Sequence, residues 1–460
     1  MNKITNSILV TCFLAFFSNP VFAFSLESLF QNDMYLINKI VIDPIFLQKI
    51  NQHQHKEFET TERFLKDPFQ RIAEEFKIPK YFYESVFFWF NIYTVYSGNT
   101  VVIHDKQNLS IIYKVVDYSE LLSSDIGKFT AATMQAYLNT NNVRLIKQVL
   151  SALIKKTENF TALEQSVVTA IESKNPGIIP KSIEGRSKFF NELLKNIRSQ
   201  AGQRDAIIKG VLNYIPLETT MSNYFKATNA PLELVAIAFL ESSFNLRAIS
   251  KAGATGTWQF LNKSGRSFMT VDDRIDHRIN PLIATFGAIF LLKQNKQILK
   301  RWDLGITAYN AGPGHFIKAR KKMKLSAPSL ELLLEKYEHP DVGFAVKNYY
   351  SEFLALVYSL AYKQEIYHNE IVSTEPALNI SSDHIEVFIA KGSFIPSAIY
   401  KKYGQSSPDL KFLNMHLKNE KRTYPKGTII LSDIELDQKT FKKLSLEKLK
   451  SVYPKHWRKL

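Results

Sequence analysis

Two proline-led starts set the strongest constraint on what this chain can fold into. Asn229-Ala230-Pro231 and Asn280-Pro281 each place proline where a first helical turn tolerates it, because its missing N–H would be unpaired there anyway. After the first start, Leu234, Ile237 and Ala238 share one face; after the second, Leu282, Phe286, Ile289 and Leu292 recur along the run. Both patterns predict amphipathic helices whose apolar stripes need a common core. A mainly α fold follows. With 460 residues the chain exceeds one ordinary core, so two or three domains are expected. Hydrophobic residues at 45% against 22% charged describe a globular chain and exclude a disordered one.

The first residues follow another grammar. Lys3 supplies a basic start, residues 8–17 an apolar run, and Val21-Phe22-Ala23 a small-residue cleavage site after Pro20. This predicts a secretory signal peptide over 1–23, and the apolar run is too short to span a bilayer. Cleavage near Ala23 would deliver the mature protein to the periplasm or cell envelope. The sole cysteine, Cys12, lies inside that segment. The mature chain is therefore expected to have no disulfide, no thiolate nucleophile and no cysteine–metal site. The formal charge of +16 would suggest nucleic acid as a partner in a cytosolic protein. Export argues against nucleic acid and for carboxylate-bearing cell-wall polymers or peripheral contact with an anionic membrane. Basicity that only keeps the protein soluble accounts for the charge equally well.

Residues 24–203 read as a mostly helical region without recognisable motif chemistry. Within it, the aromatic run 82–96, with Phe87, Phe88, Trp89 and Phe90, is expected to be core. Val101-Val102-Ile103, a polar turn over 105–108 and the β-branched run 110–116 predict a β-hairpin. His53 and His55 have no carboxylate or cysteine partners at metal spacing and read as a solvated loop. A helical domain is expected over 204–370. The stretch 371–460 then predicts a small β-α-α-β module: strand 385–390, helix 394–403, helix 409–417 and strand 427–431. Its lysine-rich end from Phe441 reads as a solvated tail or a surface helix.

Chemistry concentrates on Glu241. It falls four residues after Ile237 and seven after Leu234, so a helix continues the apolar stripe through it. A carboxylate placed there is poorly solvated, and desolvation raises its pKa. An acid still protonated near neutral pH can donate a proton to a glycosidic oxygen and take one back later. On this helix alone, a carboxylate that merely caps or pairs at the helix end serves at least as well. The residues that follow in order tip the balance: Glu241-Ser242-Ser243-Phe244-Asn245, Ser250, the run Gly253 to Phe260, and Ala308-Tyr309-Asn310-Ala311-Gly312. Gly253 and Gly256 permit conformations and approaches that a Cβ would block. Gln259 offers an amide donor and acceptor for sugar hydroxyls and N-acetyl groups. Tyr309 can hold the acid's carboxylate or the leaving oxygen, and Asn310 can fix the turn. Each residue also has a plain structural reading, and only the ordered set carries weight.

That set resembles the soluble lytic transglycosylase domain of goose-type lysozyme fold, and its longer span, about 199–350, resembles the membrane-bound lytic murein transglycosylase D group. Glu241-Ser242 matches the catalytic motif, Gly253 to Gln259 the glycine motif, Ala308-Tyr309-Asn310 the third motif and Asn348-Tyr349 the late tyrosine. Asp276-His277-Arg278-Ile279-Asn280-Pro281 resembles the group's Asp-x-Arg-x-Asp-Pro element, with Asn280 in place of Asp. Thr257 stands where the family usually has Leu, and Trp258 where many members carry Met. The resemblance implies a lysozyme-like helical domain that cleaves peptidoglycan glycan strands between N-acetylmuramic acid and N-acetylglucosamine. It also implies a 1,6-anhydro product, one catalytic Glu and no cofactor or metal. By the same resemblance Ser250, Gln259, Tyr309 and Asn310 contact sugar or the acid, and Tyr349 closes the site.

Ordinary glycosidases use two carboxylates about 5–10 Å apart. Asp272, Asp273 and Asp276 are the nearest further candidates, and their polar stretch reads as a surface loop. The C-terminal module resembles a degenerate LysM module, a fold that binds N-acetylglucosamine-containing glycans, with Ser393 where an Asp is usual. Two other functions remain open at this point, a hydrolytic muramidase and an inactive peptidoglycan-binding scaffold.

Overall fold

The computed structural model describes residues 61–123, 127–374 and 385–445. The expected signal peptide, Cys12, His53, His55 and the end of the basic tail lie outside the described residues. Chain contacts divide into two compact units. Among the described residues one holds 61–69 and 78–205, the other 70–77 and 206–445.

In the first unit the aromatic run forms helix α1 (Tyr83–Thr94), with Phe88, Trp89 and Phe90 buried. The hairpin pairs β1 (Thr100–Asp105) antiparallel with β2 (Ile112–Asp117), with a register shift between Ile103 and His104. Its polar turn is held by one carboxylate: Asp105 Oδ1 accepts from the amides of Gln107 and Asn108, both at 2.8 Å. A third strand, β3 (Ile197–Ala201), was not anticipated and pairs antiparallel with the free edge of β1. The sheet order is therefore β2-β1-β3, and every residue of the central strand is buried. Helices α2 (Lys128–Ala152), α3 (Ala162–Glu172) and α4 (Ile183–Asn196) supply Ile146, Leu150, Val167, Ile171 and Phe190 to a core shared with Ile103 and Tyr113. The start of α3 carries a capping box, Thr161 with Glu164, which satisfies two amides reciprocally.

The second unit is built around α8 (Pro281–Leu299). Asn280 caps it, its side-chain oxygen accepting from the amides of Leu282 and Ile283 at 3.1 Å, with Pro281 in the first turn. This confirms the expected start but corrects the expected amphipathicity. Residues 281–290 are buried without exception, so α8 is a central helix enclosed by others and not a one-sided surface helix. Around it lie α5 (Arg204–Ala227), α6 (Ala236–Ser242), α7 (Asn262–Phe268), α9 (Trp302–Ala311), α10 (Pro313–Met323), α11 (Leu330–Lys336) and α12 (Phe344–Ala361). The start at Pro231 leads first into a 3₁₀ turn, Leu232–Val235, and only then into α6.

The C-terminal part of this unit holds β4 (Glu386–Ala390), α13 (Pro396–Tyr403), a single turn α14 (Leu410–Leu413) and β5 (Ile429–Ser432). That is the expected β-α-α-β order. Beyond it, Phe441–Leu444 forms β6, correcting the tail or helix expected there. Both β5 and β6 pair antiparallel with β4, in the order β5-β4-β6. Phe441 and Leu444 are buried while Lys442 and Lys443 are exposed, so a lysine-rich edge strand imitates a tail by composition alone.

Candidate active site

Glu241 lies in the last turn of α6, whose preceding residues Ala236 to Phe239 are fully enclosed. The helix is stopped abruptly. Ser243 and Phe244 both adopt left-handed backbone angles, φ 49° and 51°, which ordinary residues seldom take. Their amides are nonetheless satisfied: Ser243 N–H donates to Phe239 O at 2.6 Å and Phe244 N–H to Ala238 O at 3.2 Å. Phe244 is wholly buried, in ring contact with Tyr214 and Phe239, and that packing holds the turn. Gly210 of α5 permits the close approach, because a Cβ there would lie 2.2 Å from the Ser243 carbonyl oxygen. Ser242 straps the helix end to the glycine loop, its hydroxyl lying 2.9 Å from Thr257 O.

The loop that faces this helix end is anchored from behind. Arg278 is buried together with Asp276, which had been expected in a surface loop. Its Nε donates to Asp276 Oδ1 at 2.9 Å and Nη2 to Asp276 Oδ2 at 2.8 Å, a two-point pair. Its Nη1 donates to Gly253 O and Phe260 O at 3.2 and 3.1 Å, so one guanidinium ties both ends of the glycine loop. Gly256, at φ 78°, sits against the Arg278 carbonyl, which a Cβ would approach to 1.9 Å. The surface-loop reading therefore holds for the exposed Asp272 and Asp273 but not for Asp276, whose carboxylate is consumed by Arg278.

Tyr349, on α12, donates its hydroxyl to Glu241 Oε1 at 2.7 Å. Tyr309, on α9, donates instead to the carbonyl of Trp258 at 2.7 Å. Of the two phenols, the one carried by the distant helix thus holds the acid, and Tyr309 braces the loop. Desolvation pushes the Glu241 carboxyl up to about 7, against the smaller lowering by the Tyr349 hydrogen bond. The residue as a whole is half-buried. Burial, followed by the nearby Glu241 charge, raises both Tyr309 and Tyr349 well above the ordinary tyrosine value. Both therefore stay protonated donors.

Gln259 adopts φ 48°, and its side-chain nitrogen donates to Gly256 O at 2.8 Å and lies 3.4 Å from Ala248 O. Its amide donor therefore serves the loop. Ser250 also belongs to the loop's framework, with its hydroxyl oxygen accepting from the Ala254 amide at 3.0 Å. Asn310 sits inside the last turn of α9, half-buried and without a side-chain hydrogen bond among the described residues. It does not fix a turn, as had been expected. Its amide is left available.

Residues 222–330 match the family described as Transglycosylase SLT domain. This region is a transglycosylase SLT domain. Membrane-bound lytic murein transglycosylase D of Escherichia coli (strain K12) is 34% identical over 108 residues, 23% of this chain and 24% of that protein. The protein of that name from Escherichia coli O6:H1 (strain CFT073) matches equally. A putative tributyltin chloride resistance protein of Alteromonas sp. (strain M-1) is 30% identical over 104 residues, 22% of this chain and 50% of that protein. The chain thus spans a quarter to a half of the length of these relatives. The SLT domain contains Glu241, the glycine loop, Tyr309 and Asn310, and its mainly helical build agrees with the lysozyme-like class expected. Tyr349 lies beyond the matched residues.

Sequence reasoning noted Arg278 and Asp276 without seeing their part in the site. The signal was present, since an arginine two residues from an aspartate can pair locally, but nothing in the sequence shows that both are buried.

Proposed function

We propose that this chain is a peptidoglycan lytic transglycosylase with Glu241 as its single acid/base. The observation that carries the reading is one carboxyl at about 7, held by a protonated phenol at the end of a buried helix. As the acid, Glu241 donates its proton to the glycosidic oxygen while the β-1,4 bond between N-acetylmuramic acid and N-acetylglucosamine breaks. As the carboxylate, it then accepts the proton of the muramoyl C6 hydroxyl, whose oxygen closes onto C1 to leave a 1,6-anhydro end. Protons balance and no water is consumed. Asp276, one of the carboxylates nearest in sequence, is taken up by Arg278 and so is not free to act as a second catalytic carboxylate, which favours this route over hydrolysis. Asn310 and the Gln259 carbonyl are the polar ends available to sugar N-acetyl and hydroxyl groups, while Ser250 shapes the loop.

The E. coli relatives are murein enzymes by name, which supports peptidoglycan as the substrate and the cell envelope as the site of action. The C-terminal β-α-α-β segment is proposed to bind the same glycan as a LysM-like module. No helix among the described residues is long and apolar enough to cross a membrane. Digestion of purified sacculi with mass analysis of the products tests the reaction: anhydro ends, one water lighter than reducing ends, are expected. Products with only reducing ends would establish a hydrolytic muramidase instead, and binding without products a scaffold.

A further inference from the structure

Away from Glu241 and its partners, three side chains converge without bonding one another. A ring nitrogen of His315, a ring nitrogen of His339 and a carboxylate oxygen of Asp341 lie within 4.8 Å of one another. His315 Nε2 is 3.8 Å and His339 Nδ1 3.7 Å from Asp341 Oδ2. Both separations exceed a hydrogen bond. The two imidazoles meet edge to face at 4.9 Å, and the Tyr337 ring stacks on His339, which holds that imidazole in place. The other ring nitrogen of His315, Nδ1, is buried and has no hydrogen-bond partner among the described residues.

We infer that His315, His339 and Asp341 form a binding site for one divalent transition-metal ion of the zinc class. Zinc bonds of about 2.0–2.2 Å in a tetrahedral arrangement separate ligand atoms by roughly 3.3–3.5 Å. The observed 3.7 and 3.8 Å to Asp341 need to close by a few tenths of an ångström, and the separation between the two imidazole nitrogens, within 4.8 Å, by up to about 1.3 Å, which a turn of either ring supplies. Two imidazoles and one carboxylate form a nitrogen-rich set that suits zinc, cobalt, nickel or copper and disfavours calcium and magnesium, which take oxygen ligands. Three protein ligands leave a fourth position for water. Ligation at His339 Nδ1 would displace the Asp341 amide, which now lies 3.2 Å from it.

The placement indicates what the ion would do. His315 is in the first turns of α10, whereas His339 and Asp341 are in the connection between α11 and α12. A metal would clip that connection to α10 just before α12 starts, and α12 carries Tyr349. Its effect is on the rigidity of the scaffold, outside the proton transfers of the reaction. Lysine and arginine side chains further along α10 oppose a cation and hold the affinity below that of a closed structural zinc site.

The test is zinc titration of the full-length protein after chelator treatment, followed by calorimetry and thermal melting. One zinc per chain is expected, with a rise in melting temperature. His315→Ala and Asp341→Asn should each weaken binding at least tenfold, while His368→Ala and a His53→Ala/His55→Ala double variant should bind as the parent does. Circular dichroism of each variant without metal establishes that it is folded, and His339→Gln serves if His315→Ala is not. Absence of saturable binding overturns the site, as does binding that survives His315→Ala and Asp341→Asn.

Discussion

Replacing Glu241 with Gln should abolish cleavage and, above neutral pH, make the protein more stable. The carboxyl titrates at about 7 in the folded protein and at 4.5 when solvated. Between those values the native state holds a proton that the unfolded chain releases, so stability falls as pH rises through the window. A gap of about 2.5 units at 1.36 kcal/mol each sets a ceiling of roughly 3 kcal/mol, reduced by whatever solvent screens the carboxylate's exposed part. Glutamine has no such proton and keeps an oxygen for the Tyr349 hydroxyl. The parent and Glu241→Gln should therefore differ by a constant amount below pH 4.5, then diverge, with the variant gaining up to about 3 kcal/mol by pH 8. Urea unfolding followed by circular dichroism at intervals from pH 4 to 8 measures this directly. Parallel stability curves across that range would refute the raised pKa, and with it the physical basis for a protonated acid. Retained cleavage by the variant would refute the assignment of Glu241 itself.

Two further substitutions separate the acid's supports from its scaffold. Tyr349→Phe removes the one hydrogen bond that lowers the Glu241 pKa, a bond to a charged group worth about 1.5–3 kcal/mol. The alkaline limb of the pH–rate profile should move up by about one unit, and an unmoved limb would show that Tyr349 does not govern the acid. Asn280→Asp keeps the helix cap but turns the donor facing Leu413 O at 2.6 Å into an acceptor. It should destabilise by about 2 kcal/mol at neutral pH, with part recovered in acid where the carboxyl can donate again. Urea midpoints that are equal for Asn280→Asp and the parent would count against this contact.

The Asn280 contact also shows where sequence reading stopped. An Asn-Pro pair at a helix start is legible because capping is local: Oδ1 needs only the amides two and three residues on. The opposite end of the same side chain reaches Leu413, 133 positions away, beside His416. There Asp276 N–H donates to His416 O and Arg274 O accepts from Lys418 N–H, so the whole 274–280 element is clasped by the C-terminal part. A polar composition marked Asp276 as surface, and only the fold could bury it. β3 and β6 escaped notice for a related reason, since each exists as a strand only because a partner from far along the chain offers it an edge.

Sequence alone singled out Glu241 as the candidate acid in a hydrophobic setting, because helical phase is a property of neighbouring residues: Ile237 and Glu241 lie one turn apart on the same helix, although Leu234 falls in the 3₁₀ turn before it. It also determined both helix starts and the four-element order of the C-terminal segment. Tertiary structure decided what surrounds the acid. Tyr349 holds it, Tyr309 braces Trp258 instead, and Arg278 sews the glycine loop shut. These are contacts between residues separated by up to 108 positions. Chemistry makes either tyrosine an equal donor, so only the packing of α12 against α6 chooses between them. The carboxyl's desolvation is likewise collective, a sum over atoms that the chain brings together only on folding.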